Sequence, residues 1–165
     1  MNIKLRKATL KDLKEIDEIY KDGVIREVKS QYPRKSEKEI IKELNKYKKD
    51  RLNGFKKNIK SKLAYLGVAL AEDKIVGFGE VVINKDDKRN AEFTKAYIKK
   101  EWIGKGIATM MMKQGLKWLK SRGIKEVYSG IFVKNIPSVK LNEKFGFKIT
   151  AVRMVKKIKW NKKQH

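Results

Sequence analysis

The chain has 165 residues, of which 43 are Lys or Arg and 19 are Asp or Glu, so its net charge is +24 at pH 7. It has no Cys and only one His, at the last position, which excludes disulfides and thiolate chemistry and makes histidine catalysis unexpected. No apolar run is long enough to cross a bilayer, and the charged N-terminus lacks the apolar stretch of a signal peptide, so we expect a cytoplasmic protein without a metal or a membrane partner.

The length predicts one domain, which we place at residues 1–160, with a disordered basic tail at 161–165. A short strand is predicted at residues 3–6. Thr9 and Asp12 then have the spacing of a capping box, which predicts a helix from residue 10. Apolar residues recur at helical spacing until Pro33 breaks the pattern.

A second capping box, Ser36-x-x-Glu39, predicts a second helix. The loop at 28–35 between the two helices is a candidate to cover a substrate. The next stretch, 51–62, is strongly basic, and its Asn53-Gly54 pair predicts a turn. Its four lysines are the best local candidates for a polyanion-binding patch, the alternative being an ordinary solvated face: Lys56, Lys57, Lys60 and Lys62.

Three strands are predicted next, at 63–71, 75–83 and 91–99. Residues 72–74 form the first hairpin turn, and charged residues 84–90 form the second. Short connections of this kind favour an antiparallel meander.

A glycine-bearing turn follows the third of these strands. Gly104 and Gly106 flank Lys105, and a helix is predicted from about residue 105 to residue 122. The first N–H groups of a helix have no intrahelical partner, and the helix dipole places partial positive charge there. A strand, a glycine turn and a helix start therefore predict an anion site, although a glycine-eased bend without a ligand has the same pattern.

The remaining elements are a strand at 126–133, a short helix at 137–144 and a last strand at 147–159. The predicted order is βααβββαβαβ. This order favours an α/β (α+β) domain, in which a mixed, mostly antiparallel sheet is flanked by helices.

The glycine turn resembles the acetyl-CoA loop of the GNAT acetyltransferase superfamily. Residues 103–108, Ile-Gly-Lys-Gly-Ile-Ala, match that family's Arg/Gln-x-x-Gly-x-Gly/Ala except at the first position. Residues 135–147 are similar to its Asn-x-x-Ala-x-x-x-Tyr-Glu-Lys-x-Gly-Phe stretch, and residues 3–13 are similar to its first strand and helix start. The resemblance covers almost the whole chain in the right order.

This resemblance implies transfer of an acetyl group from acetyl-CoA to a primary amine: a protein N-terminus, a lysine or a small amine. The amine attacks directly, with help from a general base. Glu92 is the first choice for the base, because the histone-modifying branch of the family has its catalytic Glu at the matching strand position, and Glu80 on the neighbouring strand is the alternative. The residues implied in acetyl-CoA binding are Tyr97, Ile98, Ile103, Gly104, Lys105, Gly106, Ile107, Ala108, Thr109 and Asn135.

Two positions depart from the family pattern. Ile103 replaces Arg or Gln, and Asn142 replaces the Tyr that often protonates the departing thiolate. Because an amide is not a general acid at neutral pH, Tyr97, Tyr128 or water is expected in that role. These departures, with the charge of +24, leave a second interpretation open: a nucleic-acid- or ribosome-associated module on a GNAT scaffold, with weak or no catalysis. The acceptor amine and the choice between monomer and homodimer are not indicated by the sequence.

Overall fold

A computed structural model describes residues 2–156. Its centre is a five-stranded sheet in the order β1-β2-β3-β4-β5. Neighbouring strands from β1 to β4 are antiparallel, whereas β5 is parallel to β4. The strands are β1 (Ile3–Lys7), β2 (Ala64–Ala71), β3 (Lys74–Ile83), β4 (Asn90–Ile98) and β5 (Glu126–Ser129).

Helices cover both faces of this sheet. They are α1 (Leu13–Gln31), α2 (Glu37–Lys46), α3 (Lys48–Lys60), α4 (Ile107–Ser121) and α5 (Ile136–Lys144). Ile16 of α1 and Phe55 of α3 pack with Phe78 on one face, and Met111 of α4 packs with Val76 on the other. The predicted fold class, a mixed and mostly antiparallel sheet flanked by helices, is confirmed.

The hairpin turn predicted at 72–74 is also confirmed. Glu72 and Asp73 connect β2 to β3 with φ values of 51° and 59°, in the left-handed region. Two consecutive residues with positive φ give the twist that joins antiparallel strands most tightly.

The turn predicted at Asn53-Gly54 is wrong, because both residues lie inside α3. That helix buries Phe55 and Ile59 against the sheet, and a Cβ at Gly54 would meet no atom within 4 Å, so this glycine lies on the open side of the helix. Burial of the apolar side chains outweighs the local turn preference. Three helices therefore precede β2 where the sequence predicted two.

The first helix is longer than predicted. It continues to Gln31, and the N–H of Tyr32 donates to the carbonyl of Val28 at 2.7 Å. The first half of the loop predicted at 28–35 is therefore helical, and the remaining connection to α2 is short.

The C-terminal part differs from the prediction. The strand predicted at 126–133 ends at Ser129, and residues 147–156 form no strand although their apolar residues suggest one. These residues pair with no strand of the described chain, and without a ladder partner an extended segment is not part of the sheet. Residues 157–159 of that predicted strand, and the predicted tail at 161–165, lie outside the described residues.

Both predicted capping boxes are present. The N–H and hydroxyl of Thr9 donate to Oδ2 of Asp12 at 2.7 and 3.0 Å. At the second box the N–H of Ser36 donates to Glu39 and the N–H of Glu39 donates to the Ser36 hydroxyl. The first box is extended by Arg6, whose guanidinium donates to both oxygens of Asp12 at 2.7 and 2.9 Å.

The Arg6 hydrogen bonds, with those from Thr9, lower the pKa of Asp12 to about 2. A carboxyl whose pKa is lower in the folded state stabilises the fold above its ordinary pKa, and that stability is lost as the pH falls toward 2. We expect urea unfolding to show a loss of about 1–2 kcal/mol between pH 4 and pH 2 that is absent from Asp12→Asn. Asp73→Asn, in an exposed turn, is the matched control and should keep the wild-type pH dependence. Equal pH dependence in Asp12→Asn and the wild type would contradict this assignment.

Candidate active site

The sheet opens between β4 and β5. Their pairing extends only from Asn90–Glu126 to Phe93–Ser129, whereas β4 stays paired with β3 as far as Ile98. The β3–β4 register shifts after Glu80, so that Thr94 is an extra residue, a β-bulge. From Thr94 onward, the edge of β4 on the β5 side is paired with no strand of the described chain.

Backbone groups of Ile98 face this open edge. The N–H of Lys99 donates to the Val76 carbonyl on β3 at 2.9 Å. Because the groups of successive residues alternate along a strand, those of Ile98 point away from β3. The Ile98 carbonyl instead accepts a hydrogen bond from Nη2 of Arg26, on α1, at 2.6 Å. Among the two β4 residues predicted to pair with pantetheine, Ile98 is the one with its backbone at the open edge.

Tyr97 faces the first helix with its side chain. A Cβ on Gly23 would lie 2.1 Å from Cδ1 of the Tyr97 ring, so only glycine fits there. The Tyr97 hydroxyl donates to Glu27 at 2.9 Å. Burial, followed by the neighbouring Glu27 carboxylate, raises the pKa of Tyr97 far above its ordinary value. This environment opposes the predicted substitute role of Tyr97 as general acid.

Tyr128, the other predicted substitute, is in a different setting. It lies on β5, about half exposed, and its hydroxyl donates to Glu126 at 2.6 Å. That hydrogen bond raises the pKa of Tyr128 above its ordinary value. The proton of Tyr128 is therefore also held more tightly than that of a free tyrosine.

The glycine turn has the geometry of an anion site. Gly104 and Gly106 have φ values of 81° and 78°, and a Cβ at either would meet nothing within 4 Å. The turn leads into α4, whose first intrahelical hydrogen bond runs from the N–H of Met110 to the carbonyl of Gly106 at 3.1 Å. The preceding N–H groups of Ile107, Ala108 and Thr109 have no partner within the helix. The residues present therefore fit a phosphate-bearing group.

Two side chains beside this turn have particular surroundings. The ammonium of Lys105 lies 4.4 Å from the centre of the Trp102 ring, so the lysine is packed on the aromatic face. Ile103, where the family pattern has Arg or Gln, is exposed. The positive charge predicted at the turn is present, but no guanidinium accompanies it.

The two candidate bases differ sharply in burial. Glu80 on β3 is only 1% exposed, and its carboxylate accepts hydrogen bonds from three side chains. Glu92 on β4 is exposed, and its carboxylate makes no hydrogen bond with the described residues. It lies opposite Tyr128 on β5, close to where the two strands separate, and its Oε1 is 3.9 Å from the position of a Cβ on Gly130.

The sequence matches a known family over most of its length. Residues 23–147 match the model of the acetyltransferase (GNAT) family, which is well over half of the chain. The chain belongs to the GNAT family. This match confirms the predicted family, the enzyme class and acetyl-CoA as the acetyl donor. A search of curated protein sequences returned no match.

Solved GNAT structures share the fold. PaiA N-acetyltransferase from Thermoplasma acidophilum, in complex with coenzyme A, has a TM-score of 0.78 and 23% identity, with 93% of this chain and 94% of that chain covered. The putative acetyltransferase YycN from Bacillus subtilis has a TM-score of 0.73 and 20% identity over 96% and 100%. Aminoglycoside 6′-N-acetyltransferase AAC(6′)-Ig from Acinetobacter haemolyticus has a TM-score of 0.65 and 20% identity over 96% and 100%.

The asparagines of the second GNAT-like stretch have local roles. Asn135 caps α5, since its Oδ1 accepts from the N–H of Ser138 at 3.3 Å. A role as helix cap is the structural alternative to the coenzyme contact predicted for this residue. Asn142 is buried, and its Nδ2 donates to the Ser138 carbonyl at 2.9 Å. Its Oδ1 is buried and has no partner among the described residues.

Three residues of the site were not predicted from the sequence: Arg26, Glu27 and Asn58. Arg26 and Glu27 contact β4 residues that are 72 and 70 positions away in the sequence. Asn58 on α3 contacts Glu80 on β3, which is 22 positions away. No motif identifies such contacts, because they depend on how α1 and α3 pack on the sheet. The described residues contain no cluster of His, Cys, Asp and Glu able to hold a metal ion and no helix long and apolar enough to span a membrane.

Proposed function

We propose that this GNAT protein transfers the acetyl group of acetyl-CoA to a primary amine in the opening between β4 and β5. The observation that carries the proposal is the open edge of β4, which leads within a few residues into the glycine turn and the start of α4. Backbone groups that pair with no strand at that edge are suited to an amide-bearing chain, and N–H groups without a helical partner at a helix start are suited to a pyrophosphate. Acetyl-CoA has both chemical features and supplies the thioester that the amine attacks.

The cofactor contacts divide by chemistry. Backbone groups of Ile98, next to Tyr97, would pair with the pantetheine arm. Residues 103–109, with Lys105 as the adjacent positive charge, would hold the pyrophosphate. Asn135, at the start of α5, is also proposed to contact acetyl-CoA. Its cap uses only the oxygen of its amide, which leaves the amide N–H groups for a ligand.

Glu92 is proposed as the general base. Its carboxylate is exposed at the separation of β4 and β5, and no hydrogen bond within the described residues occupies it. It is therefore free to take a proton from an incoming ammonium, directly or through water. Glu80 is the alternative base, but its oxygens already accept hydrogen bonds from Asn58, Thr94 and Lys95.

We expect Glu92→Gln to lower turnover by about 100-fold while leaving acetyl-CoA affinity unchanged, because the lost group acts on the amine. The measurement is titration calorimetry with acetyl-CoA, followed by a thiol-release assay over a panel of acceptors: an N-terminal peptide, a lysine peptide, a polyamine and an aminoglycoside. Glu72→Gln, in the exposed turn between β2 and β3, is the matched control. Unchanged turnover in Glu92→Gln would assign the proton transfer to Glu80 or to the free amine. Absence of acetyl-CoA binding by the wild type would overturn the proposed function itself.

A second candidate function is association with nucleic acid, favoured by the outer face of α3. This face exposes a group of lysines, none of which forms an ion pair with another described residue: Lys49, Lys56, Lys57 and Lys60. Spacings of seven and four residues, which are about two turns and one turn of the helix, place Lys49, Lys56 and Lys60 in one row. Such a row presents uncompensated positive charge to a phosphate backbone.

We expect the wild type to bind a short RNA with an affinity that falls steeply with salt. Replacing Lys56, Lys57 and Lys60 with Gln should weaken binding by about tenfold and reduce the salt slope by about 2–3. The matched control replaces the exposed lysines of α4, Lys113, Lys117 and Lys120, with Gln, because this makes the same change in net charge on another helix. Equal losses in the two triple variants would show that only the overall charge matters. Fluorescence anisotropy at several salt concentrations measures both quantities.

A further inference from the structure

The most deeply buried carboxylate of the described residues lies beside the bulge of β4. Glu80 is 1% exposed and lies on the sheet face covered by α3. Its Oε1 accepts from the hydroxyl of Thr94 and from the ammonium of Lys95, each at 2.6 Å, and its Oε2 accepts from Nδ2 of Asn58 at 2.9 Å. A buried carboxylate is tolerated when such donors satisfy both oxygens.

The two donors on β4 are the residues of the bulge. Pairing of β3 with β4 runs from Glu80–Lys95 directly to Val81–Phe93, which leaves Thr94 as the extra residue. Pairing of β4 with β5 stops at Phe93. The contacts of Glu80 therefore hold β4 at the position where it separates from β5.

We propose that Glu80, supported by Asn58, is a positioning residue that fixes the bulge of β4 and so keeps the open edge in register for acetyl-CoA. This inference rests on the proposed function, and it gives Glu80 a different role from that of a base. Protonation of Glu80 would remove the negative charge that strengthens its hydrogen bonds from Thr94 and Lys95, and so would weaken the contacts that hold the bulge.

The physical reason for such a residue lies in the strand geometry. A bulge disrupts the ladder locally and bends the strand, and a shift by one residue moves every following side chain and backbone group to the opposite side. The Ile98 backbone faces the opening only in the observed register. The hydrogen bond from Thr94 to Glu80 attaches the bulge to β3, and the hydrogen bond from Asn58 attaches Glu80 to α3. Together these contacts fix the register of β4.

The first test measures acetyl-CoA binding in variants of Thr94 and Asn58, the residues that donate hydrogen bonds to Glu80, and leaves Glu80 itself unchanged. Thr94→Val removes the hydroxyl at nearly constant shape and is expected to raise the acetyl-CoA Kd by about tenfold, the loss typical of one hydrogen bond to a charged group. Thr94→Ser keeps the hydroxyl and should restore the affinity. On α3, Asn58→Ala should weaken binding, whereas its matched control Asn53→Ala, at an exposed position of the same helix, should not.

The Glu80→Gln variant separates positioning from base catalysis. A positioning role predicts a higher Kd and KM for acetyl-CoA with a smaller change in kcat. A base would show unchanged Kd and KM with a large fall in kcat. Wild-type affinity in both Thr94→Val and Asn58→Ala overturns the inference, whether or not Glu80→Gln folds.

Amide hydrogen exchange gives a readout that needs no acetyl-CoA. The amides of β4, and that of Lys99 just after it, that donate to carbonyls of β3 should exchange at least tenfold faster in Thr94→Val than in Thr94→Ser. If the wild type failed to bind acetyl-CoA, the proposed function would fail, while this exchange comparison would still test the bulge. Equal exchange rates in the two variants would overturn the positioning role.

Discussion

Replacing Gly106 with Leu is expected to abolish the stabilisation that acetyl-CoA gives to the wild type. At about 100 times its dissociation constant, a ligand stabilises a fold by about 2.7 kcal/mol. Gly106 has a φ of 78° at the start of α4, and a Cβ there would meet no protein atom within 4 Å. A leucine at this position would therefore extend into the space proposed for the pyrophosphate, while the core stays unchanged.

The control for this substitution is Gly123→Leu, at the other end of α4. Gly123 also has positive φ, 69°, and also has no atom within 4 Å of a Cβ. Both variants should lose about 1–2 kcal/mol of stability from the left-handed backbone. Only Gly106→Leu should lose the acetyl-CoA shift in thermal unfolding. A shift that persists in Gly106→Leu would place acetyl-CoA elsewhere.

The largest loss of stability is expected from breaking the buried ion pair between α1 and α3. The side chains of Asp17 and Arg51 are 6% and 7% exposed, and Nε of Arg51 donates to Oδ1 of Asp17 at 2.7 Å. Nη1 of Arg51 also donates to the Leu44 carbonyl of α2 at 2.8 Å. We expect Arg51→Met to lower the free energy of unfolding by about 3–5 kcal/mol, because it leaves the Asp17 carboxylate buried without its main partner.

The exposed pair of Lys4 and Asp73, 3.8 Å apart, is the control, and Lys4→Met should leave the urea midpoint unchanged. The double variant Asp17→Leu with Arg51→Met should be less destabilised than the sum of the two single changes, since neither charge is then left alone. A loss below about 1 kcal/mol in Arg51→Met would mean that Lys21, 3.6 Å from Asp17, compensates for the missing guanidinium.

Features set by short-range chemistry were predictable from the sequence. Thr9–Asp12 and Ser36–Glu39 form capping boxes because a side chain meets an N–H three residues away, and the hairpin turn at Glu72 and Asp73 joins adjacent strands. The glycine turn before α4 belongs to the same class. The turn prediction at Asn53-Gly54 failed because α3 is stabilised by packing Phe55 against Phe78 of β3, a contact between residues far apart in the sequence.

The site could be predicted in part for the same reason. The glycine turn proposed to bind the pyrophosphate is contiguous in the sequence, so its residues were identifiable from the glycines. The roles of Glu80 and Glu92 depend on which face each strand residue presents and on what covers it. Asn58 and Thr94 reach Glu80 from separate elements, and that arrangement exists only once α3 has packed on β3 and β4.

The pairing pattern of the sheet implies an order of folding. The strands β2, β3 and β4 follow one another in the chain and pair with their immediate neighbours, so their loops close over few residues. By contrast, Ile3 pairs with Ala71 across three helices, and Asn90 pairs with Glu126 across α4. Closing long loops delays non-local pairings, so we expect the meander to form first and both outer strands to dock late. The bulge at Thr94 would then form before β5 pairs with β4. The shape of the opening would therefore be determined by the part of the chain that folds first.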